Sequence, residues 1–169
     1  MSVHLRPGRM ADAAALGTIY NHFVASSPVT FDLEPRLGAA QEAWTAQFKE
    51  DTPHQLWVAC EGEAIVAYAS SSVFRAKPAY HTSIETSVYV APGALGRGLG
   101  AVMYGQLFDS LAALDLHRAY AAITLPNEAS LRLHRNFGFT DCGVWSEVGR
   151  KFGRFWDVAL LEKRLSPKP

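Results

Sequence analysis

Cysteine is scarce in this sequence, and the two that occur, Cys60 and Cys142, lie far apart in apolar stretches without Cys-x-x-Cys spacing. A disulfide framework is therefore excluded as the source of stability, and the cytoplasm, a reducing compartment, is the expected location. Net charge is also lacking. Sixteen Lys and Arg side chains balance sixteen Asp and Glu, so no overall field draws the chain to nucleic acid or to an anionic membrane. Any anionic ligand must be held by local groups. No apolar run approaches the roughly 20 residues that span a bilayer, and the segment Met1 to Met10, with His4, Arg6, Pro7 and Arg9, has no apolar stretch of a secretion signal. His4, His22, His54, His81 and His117 show no metal-ligand spacing, and no metal is expected. Repeats, linkers and low-complexity segments are absent. What remains is a chain of 169 residues, 49% apolar and 19% charged, the composition of one globular domain. That domain is expected over residues 1–165, followed by a polar tail, 166–169.

Periodicity divides the chain. After a short strand around Val3 to Arg6, the segment Ala11 to Ala25 sets Ala15, Ile19 and Phe23 at helical spacing, with Asp12 in its first turn, where the helix dipole favours an acid. A second helix is predicted from about Ala39 to Lys49, with Trp44 and Phe48 on one face. The turn-rich loop between them, Ser26 to Leu37, carries a lone Phe31. Two strands, Gln55 to Cys60 and Ala64 to Ser71, flank the hairpin turn Glu61-Gly62-Glu63. A longer strand, His81 to Val90, alternates: Ile84, Thr86, Val88 and Val90 face one way, and Glu85, Ser87 and Tyr89 the other. A glycine-rich turn opens a helix from about Gly98 to Leu114, and Arg118 to Leu125 completes a βαβ unit with a parallel strand pair. A short helix, Glu128 to Asn136, stops before Gly138, and Phe139 to Glu147 with Arg154 to Glu162 forms a last antiparallel pair. The fold class is α/β (α+β) with a mixed, mostly antiparallel sheet.

Gly96-Arg97-Gly98-Leu99-Gly100-Ala101 lies between a strand and a helix. Small residues there let backbone N–H groups approach a phosphate whose charge the helix dipole favours. The same letters fit a dinucleotide-binding pattern, yet the loop follows antiparallel strands, and the strand Arg118 to Leu125 ends in Pro126-Asn127 without an acidic residue for a ribose. Close helix packing is the remaining alternative.

The run Val88-Tyr89-Val90-Ala91-Pro92-Gly93-Ala94-Leu95-Gly96-Arg97-Gly98-Leu99-Gly100 resembles the acetyl-CoA-binding motif of the GNAT acyltransferase superfamily. Three further stretches, Tyr80 to Val90, Leu125-Pro126-Asn127 through His134 to Phe139, and Gly149 through Asp157, resemble the phosphinothricin and methionine sulfoximine acetyltransferases. The resemblance spans nearly the whole chain and implies a GNAT fold with a sheet splayed where acetyl-CoA enters. It implies that Val88, Tyr89 and Val90 pair with the pantetheine arm, that Gly96, Arg97, Gly98, Leu99, Gly100 and Ala101 cradle the pyrophosphate, and that Asn127 lies near the pantetheine end. Asn127 is equally readable as the N-cap of the Glu128 helix. One position departs from the family: Leu95 stands where Gln or Arg is usual.

Attack of an amine on a thioester requires a proton acceptor. Glu85 interrupts an otherwise uncharged strand, and burial there would raise its pKa toward the working pH; an exposed Glu on a solvated face is the alternative, and the matching family position is the catalytic glutamate. His134 has Ser130, Leu131 and Phe137 at helical spacings and points inward, as a core residue or as a supporting acid/base or orienting group. Arg75, Lys77 and Tyr80 precede the Glu85 strand, and Lys151 and Arg154 flank the last hairpin. If the two loops converge they suit a carboxylate, and with Phe31 and Trp156 they resemble the family's substrate pocket; singly, each charge also reads as solvated surface. The expectation is an acetyl-CoA-dependent N-acetyltransferase acting on a small amino-acid-like amine of the phosphinothricin, methionine sulfoximine or methionine sulfone type. No acyl-accepting Cys is evident, which favours direct transfer in a ternary complex. The family further implies a homodimer. A non-catalytic acyl-CoA sensor is the rival reading, and dinucleotide binding comes third.

Overall fold

The alternating residues between Leu56 and Val90 build the centre of a seven-stranded sheet ordered β1-β2-β3-β4-β5-β7-β6. The computed structural model describes residues 2–165, so the tail at 166–169 lies outside the described residues. The strands are β1 (His4–Pro7), β2 (Leu56–Glu61), β3 (Ala64–Val73), β4 (Ser83–Val90), β5 (Arg118–Thr124), β6 (Thr140–Lys151) and β7 (Arg154–Arg164). The helices are α1 (Ala13–Ser26), α2 (Gly38–Thr45), α3 (Leu99–Leu111) and α4 (Glu128–Asn136). Only β4 and β5 run parallel; every other pair is antiparallel.

Each face of the sheet has its own core. Ala67, Ala69, Ile84, Ala119, Ala121 and Ala159 bury one face under Met103, Tyr104 and Leu107 of α3. The alanines let a helix carrying large side chains approach closely. On the other face, Leu16 and Ile19 of α1 pack on Val58 and Tyr68. Asp12 ties α1 to β1: it accepts two hydrogen bonds from Arg6, at 2.7 and 2.8 Å, and one from the Arg9 backbone N–H at 2.7 Å. The Arg6 guanidinium holds the Asp12 carboxyl below its ordinary pKa.

The decisive feature lies between β4 and β5. Their ladder covers only Ser83, Ile84 and Glu85 against Arg118, Ala119 and Tyr120. Beyond it β4 stays paired with β3 as far as Val90, and β5 stays paired with β7 as far as Thr124. The two halves of the sheet therefore diverge immediately after Glu85.

Two elements differ from the sequence expectation. Helix α2 ends at Thr45 rather than near Lys49, although the rings of Trp44 and Phe48 still meet at 4.8 Å. The last strand pair continues through Lys151 and Arg154, which face each other across the turn Phe152-Gly153. Both turn residues have positive φ, 52° and 74°, the geometry of a tight hairpin. A phenylalanine gives no signal for that conformation, so the turn was not readable. The register also shifts between Trp145 and Gly149, where the Glu147 N–H donates to Asp157 Oδ1 at 2.7 Å.

Candidate active site

The divergence of β4 and β5 opens a slot of about 310 Å³, walled by residues 86–90 of β4, residues 121–124 of β5, and side chains of α3 and α4. Because the inner edge of β4 faces no strand there, its backbone groups can accept an extended ligand as an added strand. The glycine-rich turn sits at the same end, and Gly100 lines the slot. Gly96 and Gly98 have φ of +75° and +77°, and a Cβ on either would meet nothing within 4 Å. Open space thus lies over the turn, at the N-terminus of α3, where N–H groups without helical partners attract an anion. Arg97 pairs with Glu61 at the end of β2 and holds that carboxyl below its usual pKa. Leu95 lines the slot and is largely exposed. The Asn127 Oδ1 accepts from the Ser130 N–H at 3.1 Å, so Asn127 caps α4 and lines the slot as well.

Glu85 occupies the apex of the divergence, paired with Tyr120 on one side and Ser72 on the other. Its neighbours in the alternation, Ile84 and Thr86, are buried toward α3, so Glu85, Ser87 and Tyr89 face the α1 side. Burial raises the Glu85 pKa, and the positive charge of Arg75 partly offsets the rise. A carboxyl so placed holds its proton more readily than an exposed glutamate.

On the opposite side, His134 is buried and fully engaged. Its Nδ1 lies 2.8 Å from the Ser130 carbonyl, which only accepts, so Nδ1 carries the proton. Nε2 then accepts from the Tyr104 hydroxyl at 2.7 Å, and the Tyr104 oxygen lies 3.3 Å from the Thr86 hydroxyl. Burial lowers the His134 pKa and raises that of Tyr104, which keeps both neutral. The pair forms a fixed wall of the slot.

The remaining expected residues fall into two groups. Arg75 stacks its guanidinium on Phe74, which packs on Tyr120 and Tyr80 around Glu85; Lys77 precedes the short turn Pro78–Tyr80 and is exposed. In the second group, the Lys151 ammonium is buried and donates to the Thr30 carbonyl at 2.8 Å. Desolvation lowers its pKa. Phe31 lies so close to Gly149 that a Cβ there would overlap its ring. Trp156 donates from Nε1 to the Lys151 carbonyl at 2.9 Å, and Arg154 stacks on its ring at 3.9 Å. Among the described residues no hydrogen bond, ion pair or ring contact joins the two groups.

The Acetyltransferase (GNAT) family matches residues 17–139. The chain belongs to the GNAT acetyltransferases. It is 55% identical over 165 residues to the phosphinothricin N-acetyltransferase of Streptomyces coelicolor, covering 96% of each chain. To the L-methionine sulfoximine/L-methionine sulfone acetyltransferase of Pseudomonas paraeruginosa it is 33% identical, covering 99% of this chain and 97% of that one. Among solved structures, the GNAT phosphinothricin acetyltransferase of Sinorhizobium meliloti in complex with acetyl-CoA superposes with a TM-score of 0.89 at 28% identity, covering 99% and 94% of the two chains. This GNAT enzyme thus has the splayed, mostly antiparallel sheet that its motifs implied. Tyr104 and Thr86 were missed as site residues. Tyr104 is the one aromatic in the first two turns of α3, but its partner His134 is 30 positions away, and only the fold brings them together.

Proposed function

We propose that this GNAT acetyltransferase binds acetyl-CoA in the slot and acetylates the primary amine of a small amino-acid-like substrate, of the phosphinothricin, methionine sulfoximine or methionine sulfone type, by direct transfer in a ternary complex. One observation carries the reading: the β4–β5 ladder stops at Glu85, so a carboxyl of raised pKa stands where the slot meets the open face of the sheet. The slot fits the cofactor by its unpaired strand edge and by the open space above Gly96 and Gly98. Acetyl-CoA supplies an activated acyl group. Residues 86–90 would hold its pantetheine amides, and the first turn of α3 its pyrophosphate. Glu85 accepts the ammonium proton. Cys60 is buried in β2 and Cys142 lies in β6, and neither lines the slot, which argues against an acyl-cysteine. Thiol release measured with acetyl-CoA and a panel of amino acids tests the reading, since a mere acyl-CoA sensor frees no CoA in proportion to amine.

Arg75 and Arg154 are the groups that would meet the substrate carboxylate, with Phe31, Tyr80 and Trp156 as apolar walls. Lys77 would add charge at the rim, and Lys151 would act by anchoring the Phe31 loop. Truncating Arg75 or Arg154 to Ala should raise KM for the amino acid by roughly tenfold or more and leave its decarboxylated amine little affected. Equal losses for acid and amine would remove carboxylate recognition. Loss of Arg75 also removes the charge that opposes burial at Glu85, so the acid limb of kcat/KM should move to higher pH.

A homodimer formed through β6 completes the proposal, in a cytoplasmic setting consistent with two free cysteines. Among the described residues the outer edge of β6 has no strand partner, and Val144, Trp145 and Val148 are about half exposed on it. Such an edge invites pairing with a second copy. Sedimentation of Trp145→Lys should shift toward monomer; an unchanged mass would move the interface elsewhere.

A further inference from the structure

Helices α1 and α2 leave a second hollow between them, a cleft of about 230 Å³ that shares no residue with the slot. Gly17 of α1 gives it depth. The Gln41 side chain of α2 lies across that glycine, with Cγ 3.2 Å and Cδ 3.4 Å from where a Cβ of residue 17 would stand. Gln41 and Thr45 are the two buried residues of α2, so the helix is seated on α1 through this face. Asn21 fixes another wall: its amide donates to the Arg36 carbonyl at 2.9 Å, and its Oδ1 accepts from the Arg36 N–H at 2.8 Å.

Gln41 takes no part in that network. It is only 3% exposed, yet neither Nε2 nor Oε1 has a hydrogen-bond partner among the described residues, and these are the only buried side-chain N or O atoms so placed. A buried amide with donor and acceptor both unpaired costs more than leucine at the same place would. A guest in the cleft that pairs with both atoms removes that cost.

The walls restrict the chemistry of the guest. An amide offers a donor beside an acceptor, and its complement is an acceptor beside a donor, as in another primary amide. A carboxylate lacks the donor. It would also approach Glu42, which lines the cleft from an exposed position, whereas the Arg36 guanidinium is engaged with Asp32 at 3.1 Å and with the face of Tyr20. Ala13, Ala14 and Leu37 seat a short hydrocarbon body, and the volume is several times the roughly 30 Å³ share of one water.

We propose that the cleft between α1 and α2 is a binding site for a small neutral molecule ending in a primary carboxamide. Gln41 Nε2 donates to the carbonyl of the guest, and Gln41 Oε1 accepts from its N–H. The site stands apart from the acetyl-CoA slot and does not depend on the acetyltransferase reading.

The probe is butyramide, which has no basic amine to acetylate, titrated into the isotope-labelled full chain and followed by amide NMR. Shifts should saturate and cluster at residues 13–21 and 36–42, with an affinity in the roughly millimolar range that a ligand of about six non-hydrogen atoms reaches. Butyrate, of the same shape, should bind roughly tenfold more weakly or worse. Gln41→Leu breaks no side-chain hydrogen bond in the free protein, so its melting temperature should rise while butyramide affinity falls by roughly tenfold or more. Ala14→Leu, at an exposed position of the lining, keeps the Gln41 amide and should abolish binding by filling the cleft. Shifts that miss both helices, butyrate binding as tightly as butyramide, or undiminished affinity in either folded variant would overturn the site and leave the acetyltransferase reading standing.

Discussion

Glu85→Gln is expected to lower turnover at neutral pH by roughly 10²- to 10⁴-fold while leaving acetyl-CoA binding intact. Glutamine keeps the size of the side chain and much of its hydrogen bonding but cannot take the proton that a protonated amine must lose. The loss should shrink as pH rises and free amine becomes abundant. Turnover close to normal at neutral pH would make Glu85 a structural residue and send the search for a base elsewhere. A second readout is independent of catalysis. The folded-state pKa of Glu85 is raised above its unfolded value by burial, so its contribution to stability is complete below the ordinary carboxylate range and is lost as pH rises through the folded value. Glu85→Gln should therefore melt above the unaltered protein at neutral pH and close to it near pH 4. Thermal denaturation at the two pH values checks the sign.

The second large effect belongs to Gly98. Its φ of +77° makes it the left-handed residue that starts α3, and the space above it is open. A valine there is strained by about 1–2 kcal/mol and also puts two methyl groups where an anion would sit. Displacing even two charge-assisted backbone hydrogen bonds weakens acetyl-CoA binding by roughly 10²- to 10⁴-fold. Gly98→Asn separates strain from obstruction, since asparagine tolerates the left-handed region yet still fills the space. Calorimetry on a folded Asn variant with undiminished affinity would remove the turn from the binding site.

Much of the site was legible because local pattern reports on it. The period-two alternation of β4 identified Glu85 on a separate face from Ile84 and Thr86, and Gly96 to Ala101 form the strand-to-helix turn that their letters announced. The parallel pair followed from the βαβ order. What escaped was set by partners distant in the chain. Lys151 reads as a free cation beside a hairpin until Thr30 supplies a carbonyl to its ammonium. Arg97 reads as a phosphate ligand, yet its guanidinium reaches Glu61 at the end of β2. His134 reads correctly as inward, but its protonation follows from Tyr104 and Ser130 together. That the ladder of β4 and β5 stops at Glu85 also has no signature in the local letters, since Ile84 and Val88 are equally good strand formers.

The contact between Phe31 and Gly149 ties the fate of two stretches far apart in the chain. The loop carrying Phe31 is tethered at Thr30 by Lys151 and by Tyr20, whose hydroxyl also reaches Asp32. Because the Phe31 ring fills the place of any side chain at position 149, neither residue is free to drift alone. A bulkier residue at 149 becomes tolerable only after Phe31 has shrunk, and a smaller residue at 31 leaves a hollow that position 149 is placed to refill. Change at this contact, by natural divergence or by directed evolution, is therefore a two-step path whose order is fixed: the loop must yield before the hairpin.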